Sequence, residues 1–164
     1  MSGLVEEVWH GGWLAVELGL LVTGWVMALT AAGQTPVSGR VVAISDADGV
    51  VITTPAGLQS LRLYGIVVPT PGEPYYGEAR RVLAGLVFNR EVRALPLERR
   101  RTDTLAQVLM GGQDVSALML RAGAARMVKG PWLDEELRST YAREENAARL
   151  AREGLWGRLS GVRP

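Results

Sequence analysis

Residues 41–68 read Val41-Val42-Ala43-Ile44-Ser45-Asp46-Ala47-Asp48-Gly49-Val50-Val51-Ile52-Thr53-Thr54-Pro55-Ala56-Gly57-Leu58-Gln59-Ser60-Leu61-Arg62-Leu63-Tyr64-Gly65-Ile66-Val67-Val68. The runs at 41–44, 50–53 and 61–68 are rich in β-branched and aliphatic residues, the composition of strands. Asp46-Ala47-Asp48-Gly49 separates the first two with the chemistry of a tight hairpin turn. Thr54-Pro55-Ala56-Gly57 punctuates the second and third. Three short strands so closely spaced imply an antiparallel meander.

Downstream the pattern changes. Pro69 to Pro74 break the alternation, and from Gly77 the apolar spacing becomes 3.6 residues, with Ala79, Val82, Leu83, Leu86 and Val87 on one face. Arg80, Arg81 and Arg90 fall elsewhere, so an amphipathic helix is expected, with Phe88 buried in its core. Residues 91–95 and 105–110 read as two more strands, and Gly111-Gly112 as a turn. Asp114 is placed to N-cap a second helix that turns Val115, Leu118 and Met119 inward and ends before Gly123. A last helix is expected over about 133–152, with Leu133, Leu137, Tyr141 and Ala148 on one stripe. Five strands with one helix after the third and two after the fifth predict an α+β domain, a small closed barrel braced by three helices.

Upstream, residues 13–32 (WLAVELGLLVTGWVMALTAA) form an apolar run with one charge. As a helix it would be about 30 Å long, the thickness of a bilayer core, and it is apolar all round. Two readings fit, a retained transmembrane helix or a cleaved signal peptide ending near Thr30-Ala31-Ala32. The acidic leader MSGLVEEVWHGG favours the span, because signal peptides begin with positive charge. Gly11, Ala15, Gly19 and Thr23 recur every fourth residue, with Gly24, Ala28 and Ala32 on a neighbouring row, the spacing of helix–helix interfaces in membranes. Glu17 lies one turn inside the run, where a carboxylate pairs with a partner or snorkels to the headgroups. Trp9 and Trp13 suit the interfacial belt. Arg40 is the only basic residue close to either flank, which leans the soluble part towards the cytoplasmic face, with the periplasmic side as the alternative. The expected organisation is a tail and span over 1–33, a linker over 34–39, a soluble domain over 40–157 and a tail over 158–164.

Composition removes several chemistries from the soluble part. The 164-residue chain has no cysteine, so it has no disulfide, thiolate zinc site or cysteine nucleophile, and its single histidine is His10, ahead of the apolar run. A Ser-His-Asp triad is therefore excluded there. Residues 1–39 hold three acids and no base, whereas 40–164 hold 18 positive and 14 negative side chains. That balance is too weak to demand a nucleic acid.

The order of elements and six local phrases resemble the staphylococcal nuclease (thermonuclease) family. The phrases are Val41-Val42-Ala43-Ile44-Ser45-Asp46-Ala47-Asp48, Leu61-Arg62-Leu63-Tyr64-Gly65-Ile66, Tyr76-Gly77-Glu78-Ala79, Gly112-Gln113-Asp114-Val115, Arg121-Ala122-Gly123-Ala124-Ala125 and Gly154-Leu155-Trp156. The resemblance implies a five-stranded OB-type barrel with three helices. It also implies calcium held by two Asp and a carbonyl, a Glu acting on the attacking water, and two Arg neutralising the phosphate. By position, the first metal carboxylate falls on Asp48, with Asp46 beside it, and the first arginine on Arg62. The second metal carboxylate falls on Val67, the water-activating Glu on Thr70 and the second arginine on Asp103. A general base is worth roughly 10²–10⁴ in rate and an arginine on a transferring phosphoryl group on the order of 10³–10⁵, so these departures point to a lost activity.

Two rescues are open. Glu73 can bend back to supply a carboxylate, or it is a solvated loop acid. Arg99, Arg100 and Arg101 can reach the cleft, or they are a solvated cluster or a lipid-headgroup anchor. Without catalysis, Asp46 and Asp48 shape the hairpin turn and Arg62 pairs with one of them across the barrel mouth. The expected function is therefore a membrane-anchored, non-catalytic accessory subunit of a larger membrane complex, without cofactor. A calcium-dependent, membrane-tethered phosphodiesterase is the first alternative. The second, a non-hydrolytic nucleic-acid binder, is disfavoured by few stacking aromatics beyond Tyr64, Tyr75 and Tyr76.

Overall fold

A computed structural model describes residues 35–159. Strands β1 (Val37–Ile44), β2 (Gly49–Thr54) and β3 (Gly57–Leu63) form the antiparallel meander. After β4 (Ile66–Val67) and α1 (Tyr76–Val87) come β5 (Glu91–Arg99) and β6 (Thr104–Met110). The sheet order β3-β2-β1-β5-β6 is closed by a parallel β3–β6 pairing, giving a five-stranded OB-type barrel with no free edge around its circumference. The short β7 (Gln113–Asp114) extends β6 and leads into α2 (Val115–Arg121). Then follow β8 (Arg126–Met127), which pairs with β4, α3 (Glu135–Ala151) and a five-residue α4 (Leu155–Leu159). Among the described residues four helices thus stand where the domain was expected to have three.

Alternation fills the barrel. Val41, Val50, Ile52, Leu61, Leu63, Val92, Ala94, Ala106 and Val108 point inward and are essentially inaccessible to water. The helices close it with Ala79, Leu83 and Val87 of α1, Met119 and Leu120 of α2, and Tyr141 of α3. Asp114 caps α2 by accepting from Ser116 N at 2.8 Å, and Asp134 caps α3 by accepting from Leu137 N at 2.8 Å.

Three boundaries differ from the sequence reading for physical reasons. β1 starts at Val37, so Val37, Ser38 and Gly39 are strand rather than linker; a Cβ on Gly39 would sit 2.3 Å from Thr53 O, and only glycine permits that approach. The run 61–68 is split at Tyr64-Gly65, because Gly65 has φ +78° and its carbonyl accepts from Val128 N. Phe88, expected in the core, is 53% exposed: it takes an extended conformation (ψ 133°) at the end of α1 and leaves the buried stripe.

The domain limits at 40 and 157 both fall inside elements, β1 and α4. The expected span with Gly11, Ala15, Glu17, Gly19 and Thr23 lies outside the described residues, as do residues 160–164 of the expected C-terminal tail. Among the described residues no helix is long and apolar enough to cross a membrane.

Candidate functional site

The hairpin between β1 and β2 presents two aspartates to the end of β3. Asp46 forms the turn, accepting from Ala47 N through its Oδ1 at 2.8 Å, while Ser45 N donates to Gly49 O. Asp48 follows, 7% exposed, and its carbonyl accepts from Leu63 N at 2.8 Å. Arg62 stands opposite Gly49 in the β2–β3 register and opposite Leu105 in the β3–β6 register. Its guanidinium therefore lies between the hairpin and the β5–β6 turn, which carries Asp103.

Three carboxylates surround that guanidinium. Arg62 Nη1 donates to Asp48 Oδ1 at 2.6 Å, Nε donates to Asp103 Oδ2 at 3.4 Å, and Nη2 stands 3.6 Å from Asp46 Oδ2. Burial raises the Asp48 carboxyl above its ordinary value, outweighing the opposing pull of Arg62. Burial also works against the charge on Arg62, but Asp48 and Asp103 outweigh it and hold the guanidinium more firmly protonated than in water. Asp103 Oδ1 is buried without a hydrogen-bond partner. Tyr76 approaches from α1, and its hydroxyl is raised by desolvation and by the negative charge of Asp46.

Beside this cluster runs a cleft of about 640 Å³, lined by Asp48, Arg62, Tyr64, Leu97, Arg100 and Trp132 among others. Arg100 is the member of the 99–101 cluster that reaches it. Its side chain is engaged by Glu98, with Nε donating to Oε1 at 3.1 Å. Arg99 and Arg101 line a separate polar groove with residues 58–60 instead. Sequence reasoning missed Trp132 (63% exposed) and Leu97 (50% exposed) at the cleft wall. The signal for Trp132 was a large aromatic in a Gly130-Pro131 turn, where no core position exists; Tyr64 fixes that turn by donating its hydroxyl to Trp132 O at 2.8 Å.

The other positions read from the sequence are Val67, Thr70 and Glu73. Val67 is 51% exposed on β4 and offers no ligand atom beyond its backbone. Thr70 N donates to Glu73 Oε2 at 2.6 Å, so Glu73 does bend back, but as the cap of its own turn. That backbone donor holds the Glu73 carboxyl below its ordinary value. Its partners are Thr70 and the field of Arg126, not Asp48 or Arg62.

These residues do not fit a calcium ion. A hard cation takes six to eight oxygens, whereas here Arg62 itself fills the space between Asp46, Asp48 and Asp103 as their counter-ion. Among the described residues no three Asp, Glu, His or Cys side chains are grouped to hold a metal. The charge is also wrong for a phosphate. Three aspartates outnumber Arg62, and Arg100 is cancelled by Glu98.

The family model described as Staphylococcal nuclease homologue matches residues 60–158, more than half of the chain. The chain belongs to that family. The matched stretch includes Arg62, Val67, Thr70 and Asp103. The chain is also similar to the "Probable endonuclease LCL3" of Komagataella phaffii (strain GS115 / ATCC 20864), 28% identical over 117 residues. That similarity covers 63% of this chain and 51% of the relative, so the chain spans about half the length of the curated relative it matches.

Proposed function

We propose that this chain is a non-hydrolytic member of the nuclease family, held at a membrane by residues 13–32 and serving as an accessory subunit of a larger membrane complex. The observation that carries the non-hydrolytic reading is the enclosure of Arg62 by Asp46, Asp48 and Asp103. An arginine that neutralises a phosphoryl oxygen must be free to meet it; this one is already engaged by three carboxylates. The anchoring reading is supported by the length and apolarity of 13–32, and the subunit reading by its ladder of small residues with Glu17. Arg40 supports a cytoplasmic position for the domain.

A second reading has an observation in its favour. Arg100 lines the same cleft as Arg62, and the curated relative is named an endonuclease. This reading is the calcium-dependent phosphodiesterase. One experiment separates the two: the full chain, extracted from native membranes in mild detergent, is sized, its companions are identified by mass spectrometry, and it is incubated with DNA and RNA plus calcium or EDTA. The accessory reading expects stoichiometric membrane-protein partners and no calcium-dependent cleavage. A free monomer that cleaves with calcium and stops with EDTA would overturn it. Strongly salt-dependent retention of single strands without cleavage would instead establish a nucleic-acid binder.

A further inference from the structure

We propose that the face formed by the outward residues of β1 and β5 with the outer side of α1 rests on an anionic lipid surface; this deepens, and rests on, the reading of 13–32 as a membrane span. Residues 35–159 carry 17 positive and 14 negative side chains. Four of the positive ones, Arg40, Arg80, Arg81 and Arg93, fall on this face, with Glu78 and Glu91 as its acids. The face thus carries a net +2, while the remaining 13 positive and 12 negative charges nearly cancel.

The face is continuous. Ser38 pairs with Arg93 and Arg40 with Glu91 across β1 and β5, and cross-strand partners project to the same side of a sheet. Arg40 Nη1 donates to Asn89 O at 3.3 Å, next to Phe88. Phe88 in turn lines a largely apolar groove of about 510 Å³ with Ile44, Ala84, Arg80 and Arg81. Val42, two residues along the strand from Arg40, is 43% exposed. Spread arginines with single apolar side chains between them suit a headgroup layer, into which the apolar groups insert and over which the charges lie.

Chain length favours the same occupant. Residues 33–36 alone separate Ala32 from Val37. Even fully extended, that tether spans about 18 Å from Cα to Cα. Along the chain, Val37 is therefore at most about 18 Å and Arg40 at most about 29 Å from Ala32.

The chain has no cysteine, so single cysteines at Val42→Cys or Phe88→Cys can carry an environment-sensitive fluorophore in the full chain, with Leu150→Cys, 87% exposed on α3, as the control. Each is reconstituted into phosphatidylcholine vesicles with or without about 30% phosphatidylserine. The proposal expects blue-shifted emission and quenching by lipid-borne nitroxides at 42 and 88 on anionic vesicles only, with none at 150. Arg81→Ala and Arg93→Ala should each lower the ratio of lipid-contacting to free face about fivefold. Release of the chain by alkaline carbonate would defeat the span, and the face proposal with it. A chain that resists carbonate while probes 42 and 88 stay aqueous would overturn the face proposal alone. Equal contact on neutral vesicles, or shielding only in native membranes, would overturn it too, the latter in favour of a protein surface.

Discussion

Replacing Arg62 by alanine should destabilise the domain chiefly by stranding Asp48. The carboxylate is 7% exposed and its main partner is the guanidinium 2.6 Å away. Removing one member of a fully buried pair costs about 3–5 kcal/mol. The Arg62 side chain is 34% exposed, so solvent screens part of this loss and about 2 kcal/mol is expected. For a domain of this size that is roughly an 8 °C fall in Tm, readable from tryptophan fluorescence of the full chain in mild detergent.

The pH dependence identifies the cause. Burial already holds the Asp48 carboxyl above 3.8 in the presence of Arg62. A carboxyl raised on folding contributes most to stability below its unfolded value, and the contribution is lost as pH rises through its folded value. Without Arg62 the folded value rises further. The deficit of Arg62→Ala should therefore be largest at neutral pH and shrink on acidification. Adding Asp48→Asn should recover at least half of it, since the stranded charge is then gone. A deficit that is independent of pH, or that Asp48→Asn deepens, would refute the argument.

The remaining predictions touch separate parts of the molecule. The triple variant Val67→Asp, Thr70→Glu, Asp103→Arg should bind calcium measurably by titration calorimetry where the parent does not, because it supplies the missing ligand and releases Arg62 from one carboxylate. Gly65→Ala should cost more than about 2 kcal/mol in urea unfolding: φ is +78° and the added Cβ would lie 2.6 Å from the Tyr141 ring. Tyr141→Phe should cost about 1 kcal/mol, losing the 2.8 Å bond from its hydroxyl to Asp114 Oδ2. Burial raises the Tyr141 hydroxyl above the usual value of 10. That contribution is complete below the unfolded value and lost as pH rises through the folded one, so an alkaline titration at 295 nm should leave one tyrosine silent until the domain unfolds.

The barrel was legible because its strands obey local rules. Asp46 to Gly49 and Gly111-Gly112 carry their own turn chemistry, and the Ala79, Leu83, Val87 stripe of α1 is spaced as a buried helix face must be. What the sequence hid depends on contacts distant along the chain. Gly39 reads as a linker residue until Thr53 is seen against it, and Phe88 reads as core until the chain turns away at the end of α1. The candidate site divides in the same way. Asp46 and Asp48 sit in the β1–β2 hairpin and Arg62 pairs with Gly49 in the adjoining β2–β3 register, so their meeting could be inferred. That Asp103, 41 positions along the chain, closes on Arg62 follows from the parallel β3–β6 pairing, which sets Arg62 beside Leu105.

The charge at position 103 decides how the cluster is to be understood. Two arginines facing a cleft repel one another at a few ångströms and are tolerable only while an anion or solvent lies between them. An aspartate at 103 inverts that relation: with Asp48 it neutralises Arg62, and it ties the β5–β6 turn to the end of β3 where the barrel closes. The pair is an incomplete solution, since Asp103 Oδ1 remains buried without a partner and such an acceptor costs about 1–3 kcal/mol. A site kept for phosphate would have no use for this arrangement, because the same carboxylate that steadies Arg62 repels the ligand. A site kept for its shape gains an ion-paired joint at the barrel mouth, with the Arg62 side chain 34% exposed, and the cleft walls of Leu97 and Trp132 stand beside it.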